Sequence, residues 1–258
     1  MPAKVFLIAH SVSPVKTVAQ AAKLCYSKSG IEELGNNLTS EKAAEFVEML
    51  SDLGHESPLE HASFTFGIEG VSRSLLAQIT RHRIASYSVK SQRYVSEKMF
   101  DFVIPPEIEA DKEAKEIYLK SMKYAQEAYD KLAAILTENH TKKLISEGMD
   151  EKAAVKAAEK IANEDARFVL PNACETKMVV TMNTRSLLNF FKHRCCNRAQ
   201  WEIRNVAEQM LIEVCKVAPE LFSKAGPACA SGPCCEGKMT CGKAKEMREK
   251  YRKILNKD

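Results

Sequence analysis

The sequence predicts a soluble chain of mixed helices and strands, of α/β (α+β) class, on three observations. Strand-like segments occur at residues 5–9, 61–68 and 178–182, where apolar residues run together or alternate with polar ones. Between them lie segments of helical period, the longest covering residues 111–161. With 258 residues, 45% hydrophobic and 28% charged, the chain can bury a sizeable core as one large domain or two small ones.

Val5 to Ala9 reads as the first strand, and the short apolar run around it has no adjoining cleavage pattern of a signal peptide. Thr17 to Tyr26 follows as a helix of small and apolar residues, and Gly30 to Thr39 reads as a loop. A second helix has Ser40 as N-cap and Glu41 in its first turn, sets Phe46, Met49, Leu50 and Leu53 on one face, and stops at Gly54. The loop Gly54-His55-Glu56-Ser57-Pro58-Leu59-Glu60-His61 carries two His and two Glu. Zinc is its minor reading, because the histidines lack helical spacing and Pro58 prevents a regular helix; a ligand-orienting loop is the major one. Ser63, Phe64, Thr65 and Phe66 then alternate as a half-buried strand.

Ser72 to Thr80 is a predicted helix with Leu75, Leu76 and Ile79 inward, which delivers Gln78 and Arg81 one turn apart. From Arg81 to Tyr94 the chain gathers Arg81, His82, Arg83 and Arg93 beside Ser86, Ser88, Ser91 and Gln92. A guanidinium can bond two phosphate oxygens at once, hydroxyls fill further positions, and an imidazole can donate, accept or carry charge near neutrality. This density of polar groups exceeds what a solvated face needs and marks a grip for a phosphate and a pyrimidine. Phe100 to Ile104 reads as a short strand ending at Pro105-Pro106, and the helical middle is divided at Gly148.

A second constellation begins with Arg167, just before an apolar turn. Met178 to Met182 leads into a helix capped by Thr184, with Asn183, Arg185 and Asn189 towards its N-terminal end, where the macrodipole favours anions. Arg194 and Arg198 repeat at i, i+4 further along. The alternative reading is a basic amphipathic helix with Leu187, Leu188, Phe190 and Phe191 inward. Cys195-Cys196 raises a minor option, a thiolate nucleophile activated by the flanking arginines.

Charge and cysteine set off the C-terminal segment. Lys224 to Asp258 holds nine Lys and Arg against four Asp and Glu, so its surplus of five exceeds the whole chain's +4 and the preceding residues carry a net −1. Basicity belongs to this tail, and the body offers no broad footprint for nucleic acid. No apolar run approaches the roughly 20 residues of a membrane span. Nine cysteines without an export signal indicate a reducing, cytoplasmic setting with free thiols. Cys229, Cys234, Cys235 and Cys241 fall within thirteen residues, and their spacing fits free loop thiols better than a zinc knuckle. Glu246 to Leu255 closes the tail as a short basic helix.

The constellations together resemble the flavin-dependent thymidylate synthases, the ThyX family. The family signature is Arg-His-Arg, seven residues and Ser, here Arg81-His82-Arg83 and Ser91. Supporting matches are the block 54–61, Ala166-Arg167-Phe168-Val169-Leu170-Pro171, Asn183-Thr184-Arg185-Ser186-Leu187-Leu188-Asn189-Phe190 and Ala199-Gln200-Trp201-Glu202-Ile203, in order between about residues 20 and 222.

The resemblance implies a curved antiparallel sheet with long helices, a homotetramer with shared active sites, a synthase domain over residues 1–225 and a Cys-rich basic tail over 226–258. It implies reductive methylation of dUMP to dTMP, with carbon from 5,10-methylenetetrahydrofolate and hydride from NADPH by way of FAD. By position, Gln78, Arg81, Ser91, Gln92, Arg93, Arg167 and Arg194 would hold dUMP, with Arg194 catalytic near the uracil. Ser57, Glu60, Arg81, His82, Arg83, Asn183, Arg185 and Asn189 would hold FAD. Some members carry Asn-Glu where this chain has Ser88-Val89, and a His or a Ser that contacts flavin where it has Arg198 and Cys25. The competing class is a nucleotide- or nucleic-acid-binding protein with a zinc-bound Cys tail, which would bind no flavin.

Overall fold

A computed structural model describes residues 2–92 and 100–255. Four strands, β1 (Lys4–His10), β2 (Ser63–Ser72), β3 (Ser86–Val89) and β4 (Glu175–Asn183), form one open sheet in the order β1-β2-β4-β3. Eleven α-helices accompany it among the described residues: α1 (Pro14–Leu24), α2 (Ile31–Asn36), α3 (Ser40–Leu53), α4 (Arg73–Ile79), α5 (Pro106–Ala110), α6 (Lys112–Ser146), α7 (Glu151–Ala166), α8 (Thr184–Arg194), α9 (Trp201–Val217), α10 (Ala228–Ser231) and α11 (Ala244–Ile254). None of them is long and apolar enough to cross a membrane.

The chain forms two compact units. The first comprises Ala3–Glu69, Ala77–Ser88 and Met178–Asp258, and the second Met1–Pro2, Gly70–Leu76 and Val89–Lys177.

In the first unit β1 pairs antiparallel with β2, with Leu7 opposite Phe66 and Val5 opposite Ile68. Alternation along the strands does what the sequence expects: Phe64, Phe66 and Ile68 of β2 and Met178, Val180 and Met182 of β4 are buried. Phe222, in a 3-10 turn, meets Phe64 and Phe191 edge to face at ring centroid distances of 5.4 and 5.9 Å, joining the sheet to α8. The opposite sheet face is mostly polar, with Thr65, Lys177 and Thr181 among its residues. A register shift between Leu7 and Ala9 leaves Phe6 and Ile8 half exposed beside Gly67, where an added Cβ would lie 3.1 Å from Ile8 Cδ1.

In the second unit α6 and α7 pack on each other after a turn at Gly148, whose φ of +93° only glycine adopts freely. Ala154, Ala158, Ala162 and Ala166 recur every fourth residue on α7, and all are fully buried. Such a stripe lets the two backbones approach closely. Phe100, Met122 and Cys174 form a small core with Phe102 and Tyr118.

The local expectations are corrected in five places. Residues 31–36 are helical, not loop: Glu32 and Glu33 sit in the first turn of α2, where the dipole favours them, and Gln20 Nε2 donates to the Ile31 carbonyl. Thr39, in extended conformation, caps α3 by accepting from Lys42 N, and Ser40 is already helical. Phe100 to Ile104 makes a single antiparallel bridge, Phe102 to Cys174, rather than a strand. β3 lies within the arginine-rich stretch, where no strand is predicted. Finally α8 stops at Arg194, so Arg198 stands on the following turn.

Candidate active site

Helix α8 carries candidate residues at both of its ends. Asn183 closes β4 and is the N-cap, its Oδ1 accepting from Ser186 N at 2.8 Å; Thr184 is not the cap. The buried Thr184 instead donates from both its N and Oγ1 to the Ala62 carbonyl, at 2.8 and 3.2 Å. That anchors α8 on the 3-10 turn Ser57–His61, which opens with Pro58 at a position where a missing N–H costs nothing. Arg185 reaches across to this turn. Its Nε donates to Glu56 Oε2 at 3.1 Å and its Nη1 to Glu60 Oε1 at 2.6 Å. The hydrogen bond that it donates to Glu60 is the main cause holding this guanidinium above its ordinary pKa. All three side chains are about half exposed, so water screens the pairs and an anionic ligand can exchange with them. Ser57 and Asn189 are exposed, and the Asn189 carbonyl lies 2.8 Å from His193 Nδ1.

At the other end Arg194 Nε donates to His82 Nε2 at 3.0 Å. An imidazole nitrogen that accepts must be unprotonated, which assigns His82 the neutral Nδ1–H tautomer. Burial, then the charge of Arg194, then that of His193 push its pKa down to about 4. Phe190 buttresses the ring edge to face at 4.9 Å. Arg194 itself is held below the usual guanidinium value by burial and by the charge of Arg81. The chain between α4 and β3 that presents Arg81 and His82 is pinned by Tyr87, whose hydroxyl donates to the carbonyls of Ile79 at 2.7 Å and His82 at 3.0 Å. Burial pushes the Tyr87 pKa up to about 12, so it stays a donor. Gln78 lies one turn ahead, its carbonyl 3.4 Å from Arg81 N, and Arg83 is exposed. A partly desolvated guanidinium, Arg194, with the exposed Arg81 close by and a neutral imidazole beside it, favours an anion, or a group that becomes one during reaction.

The remaining candidates belong to the second unit. Gln92 is 7% exposed and its Nε2 has no hydrogen-bond partner among the described residues, nor has the buried Thr176 Oγ1. A buried amide left unpaired costs about 1–3 kcal/mol. Arg167 caps α7 and its Nε donates to the Glu164 carbonyl at 3.1 Å. Arg93 lies outside the described residues.

The thiol option at Cys195 is overturned. Its side chain is fully buried, and burial outweighs the hydrogen bond of Tyr251 and the charge of Lys250, pushing its pKa up to about 12. Cys196 has a different surrounding that the spacing of the tail did not reveal. The Cys229 thiol is pushed up by burial and then by the neighbouring Cys234 and Cys196, so the tail folds back towards the α8–α9 turn. Among the described residues no group of three or more His, Cys, Asp or Glu is placed to hold a metal ion.

Three features were missed by sequence reasoning. Glu56 as second partner of Arg185 was legible only as a charged loop residue. Tyr87 carried no motif, although its alternation with Ser86 and Ser88 is strand-like. A cavity of about 510 Å³ between α1 and α3, walled by Phe46, Met49, Leu50 and Leu53 and rimmed by Lys23 and His55, adjoins the Glu56 turn. Its size is that of a small-molecule site.

Comparison with known proteins identifies the family. The family described as thymidylate synthase complementing protein matches residues 6–220. A flavin-dependent thymidylate synthase of Clostridium tetani is 56% identical over 97% of this chain and 98% of its own length. Proteins of the same description from Geobacter sulfurreducens and Pyrococcus abyssi are 45% and 38% identical, over 97% and 98% of this chain and 99% and 98% of theirs.

Proposed function

The chain belongs to the flavin-dependent thymidylate synthase family and is an enzyme of it, and from that premise we propose that it converts dUMP to dTMP. The carbon would come from 5,10-methylenetetrahydrofolate and the reducing equivalents from NADPH, with FAD as resident cofactor. When bound, FAD would supply the hydride that reduces the transferred methylene to a methyl group. In the balanced reaction, dUMP, methylenetetrahydrofolate, NADPH and a proton give dTMP, tetrahydrofolate and NADP+.

The observation that carries this reading is the Arg81, His82 and Arg194 group, because methylating a pyrimidine carbon requires its ring to bear negative charge in the transition state. Arg194 would stand at the uracil and stabilise the ring ionised at N3, and Arg81 would add a second fixed charge. His82 accepts from Arg194, which leaves the guanidinium's other N–H groups for the substrate. Gln78, Ser91, Gln92, Arg93 and Arg167 would hold the rest of dUMP, and the unpaired amide of Gln92 supports a ligand at that position. No protein nucleophile is needed, in keeping with the buried thiol of Cys195.

The donor set fits a flavin nucleotide. Arg185 offers a guanidinium whose present partners are exposed carboxylates, and Ser57, Glu60, Arg81, His82, Arg83, Asn183 and Asn189 would complete the FAD contacts. Asn183 spends its Oδ1 on the helix cap and keeps its amide N–H groups for the cofactor. A homotetramer with shared active sites is supported by Phe6 and Ile8, half exposed on β1, and by Ile117, Tyr124 and Ile135, each more than half exposed on α6. The rival reading, a nucleotide- or nucleic-acid-binding protein with a zinc-bound tail, has no group of three or more His, Cys, Asp or Glu placed for a metal ion among the described residues.

The decisive experiment is an absorbance spectrum of the purified protein with and without dUMP, coupled to NADPH oxidation. Flavin absorbance that dUMP perturbs, and dTMP formed only when methylenetetrahydrofolate is present, support the reading. Protein that refuses FAD sinks it.

A further inference from the structure

Past the Pro219–Phe222 turn the chain leaves the segment that matches the family, yet it packs tightly on the element that carries Arg194. Gly226 has φ +117°, and a Cβ there would lie 2.7 Å from Tyr251 Cδ1, so the strand of tail passes flush against the Tyr251 ring. Tyr251, on α11, is 1% exposed. Its hydroxyl lies 3.1 Å from the Cys195 carbonyl and 3.0 Å from Glu208 Oε1 of α9. Both are acceptors, and the Cys195 thiol is a further hydrogen-bond neighbour, so the single phenolic hydrogen is shared among them. Lys250 Nζ, 2.5 Å from the same Glu208 oxygen, compensates the carboxylate.

Cys195 is the C-cap of α8, and its N–H bonds the Phe191 carbonyl at 2.9 Å. A helix end leaves its last carbonyls without intrahelical partners and frays unless something takes them. Here each following carbonyl is taken. Tyr251 takes that of Cys195, Ala199 N that of Cys196 at 2.8 Å, and Arg204 Nη1 that of Asn197 at 2.9 Å. Arg198, from the same turn, donates to the Met239 carbonyl of the tail. The last turn of α8 is therefore held by the tail on one side and by α9 on the other, with Arg194 one residue from the clamped carbonyl.

We propose that Tyr251 is a positioning residue, through which α11 fixes the C-terminal turn of α8 and so aims the Arg194 guanidinium at the pyrimidine substrate. The inference rests on the reading of Arg194 as the uracil-facing group. It gives the basic, Cys-rich tail a task in the reaction that neither charge nor thiol spacing discloses.

The test compares Tyr251→Phe, which keeps the ring and removes only the hydroxyl, with Arg248→Ala. Arg248 ties the tail to itself, donating to the carbonyls of Cys229 at 3.0 Å and Gly232 at 3.1 Å, whereas Tyr251 reaches the α8–α9 turn. Loss of one buried hydrogen bond corresponds to about a tenfold effect. Tyr251→Phe is expected to raise the Kd for dUMP, read from the flavin spectrum, by about that factor and to leave FAD affinity unchanged. Arg248→Ala is expected to lower thermal stability and leave dUMP affinity as in the wild type. Wild-type dUMP affinity in Tyr251→Phe overturns the proposal, and so does an equal loss of dUMP and FAD binding in both variants. Failure of the wild type to respond to dUMP is a separate outcome that rejects the substrate reading. Amide hydrogen exchange over residues 190–198 then decides the clamp alone: faster exchange in Tyr251→Phe than in Arg248→Ala upholds it, and equal exchange rejects it.

Discussion

Arg194 Nε sits 3.0 Å from His82 Nε2, a contact that joins the last residue of α8 to the turn ahead of β3 and fixes the imidazole as an acceptor. A cation and a histidine held this way make the histidine's neutrality a condition of the native site. Protonating His82 would remove the acceptor and set a second positive charge against Arg194 and Arg81.

Stability should therefore fall in mild acid. The folded-state pKa of His82 is lowered to about 4 from an ordinary 6.5, so between these values the unfolded chain binds the extra proton and folding weakens as pH drops. This contribution is fully present above pH 6.5 and disappears as pH falls towards 4. Thermal melts across that window are expected to show a decline that His82→Gln flattens; identical slopes for the two proteins would reject the assignment.

Arg194→Ala should keep bound flavin, because Arg194 is not itself among the proposed FAD contacts and Ser57, Glu60, Asn183, Arg185 and Asn189 are untouched by the change. Turnover of dUMP is expected to fall by ~100-fold, the usual cost of losing one preorganised donor to a developing anion. Single-turnover methylation measured on flavin-loaded variant gives the answer, and an undiminished rate would remove Arg194 from the chemistry.

Arg185→Ala separates binding from folding. Its ion pairs with Glu56 and Glu60 are half exposed, so water screens them and global stability in urea should change little. Flavin affinity should drop markedly and lose part of its salt dependence. A variant that retains full FAD affinity would place the cofactor phosphates elsewhere.

Gly226→Ala probes the tail's packing. The new methyl group meets the buried Tyr251 ring, and the φ of +117° is strained for any residue with a Cβ. We expect a loss of about 2–3 kcal/mol in equilibrium unfolding. A neutral result would mean that the tail is not part of the cooperative unit.

Thiol reactivity should follow burial and not the number of nearby arginines. Cys195, buried and pushed up to about 12, should resist alkylation at pH 8, whereas the exposed Cys25 and Cys235 are modified first. Mass mapping after brief iodoacetamide treatment checks the order, and early labelling of Cys195 would revive a thiolate role.

Much of this protein is determined by its sequence alone, because the signals are local. Period-2 alternation at residues 63–68 and 178–182 sets the buried face of β2 and β4, Gly54 stops α3 in a left-handed conformation, and the Arg-His-Arg and Asn183-x-Arg185 blocks mark anion-binding chemistry by residue type. Other features depend on which groups compete for one partner in space, and only the tertiary structure decides them. Thr39 outcompetes Ser40 as cap, since the cap must lie outside the helix, and Asn183 displaces Thr184, whose hydroxyl is drawn to Ala62. His82 and Arg194 are 112 residues apart, so nothing in local spacing tells that one neutralises its ring to orient the other. The same holds for Cys195, activated by sequence neighbours on paper and silenced by burial in the fold. Tyr251, unremarkable in a basic tail, comes to rest on the carbonyl that ends α8. Local propensity chooses elements and chemistry; the desolvation and hydrogen-bond geometry that set each group's protonation and aim arise only when distant segments close on one another.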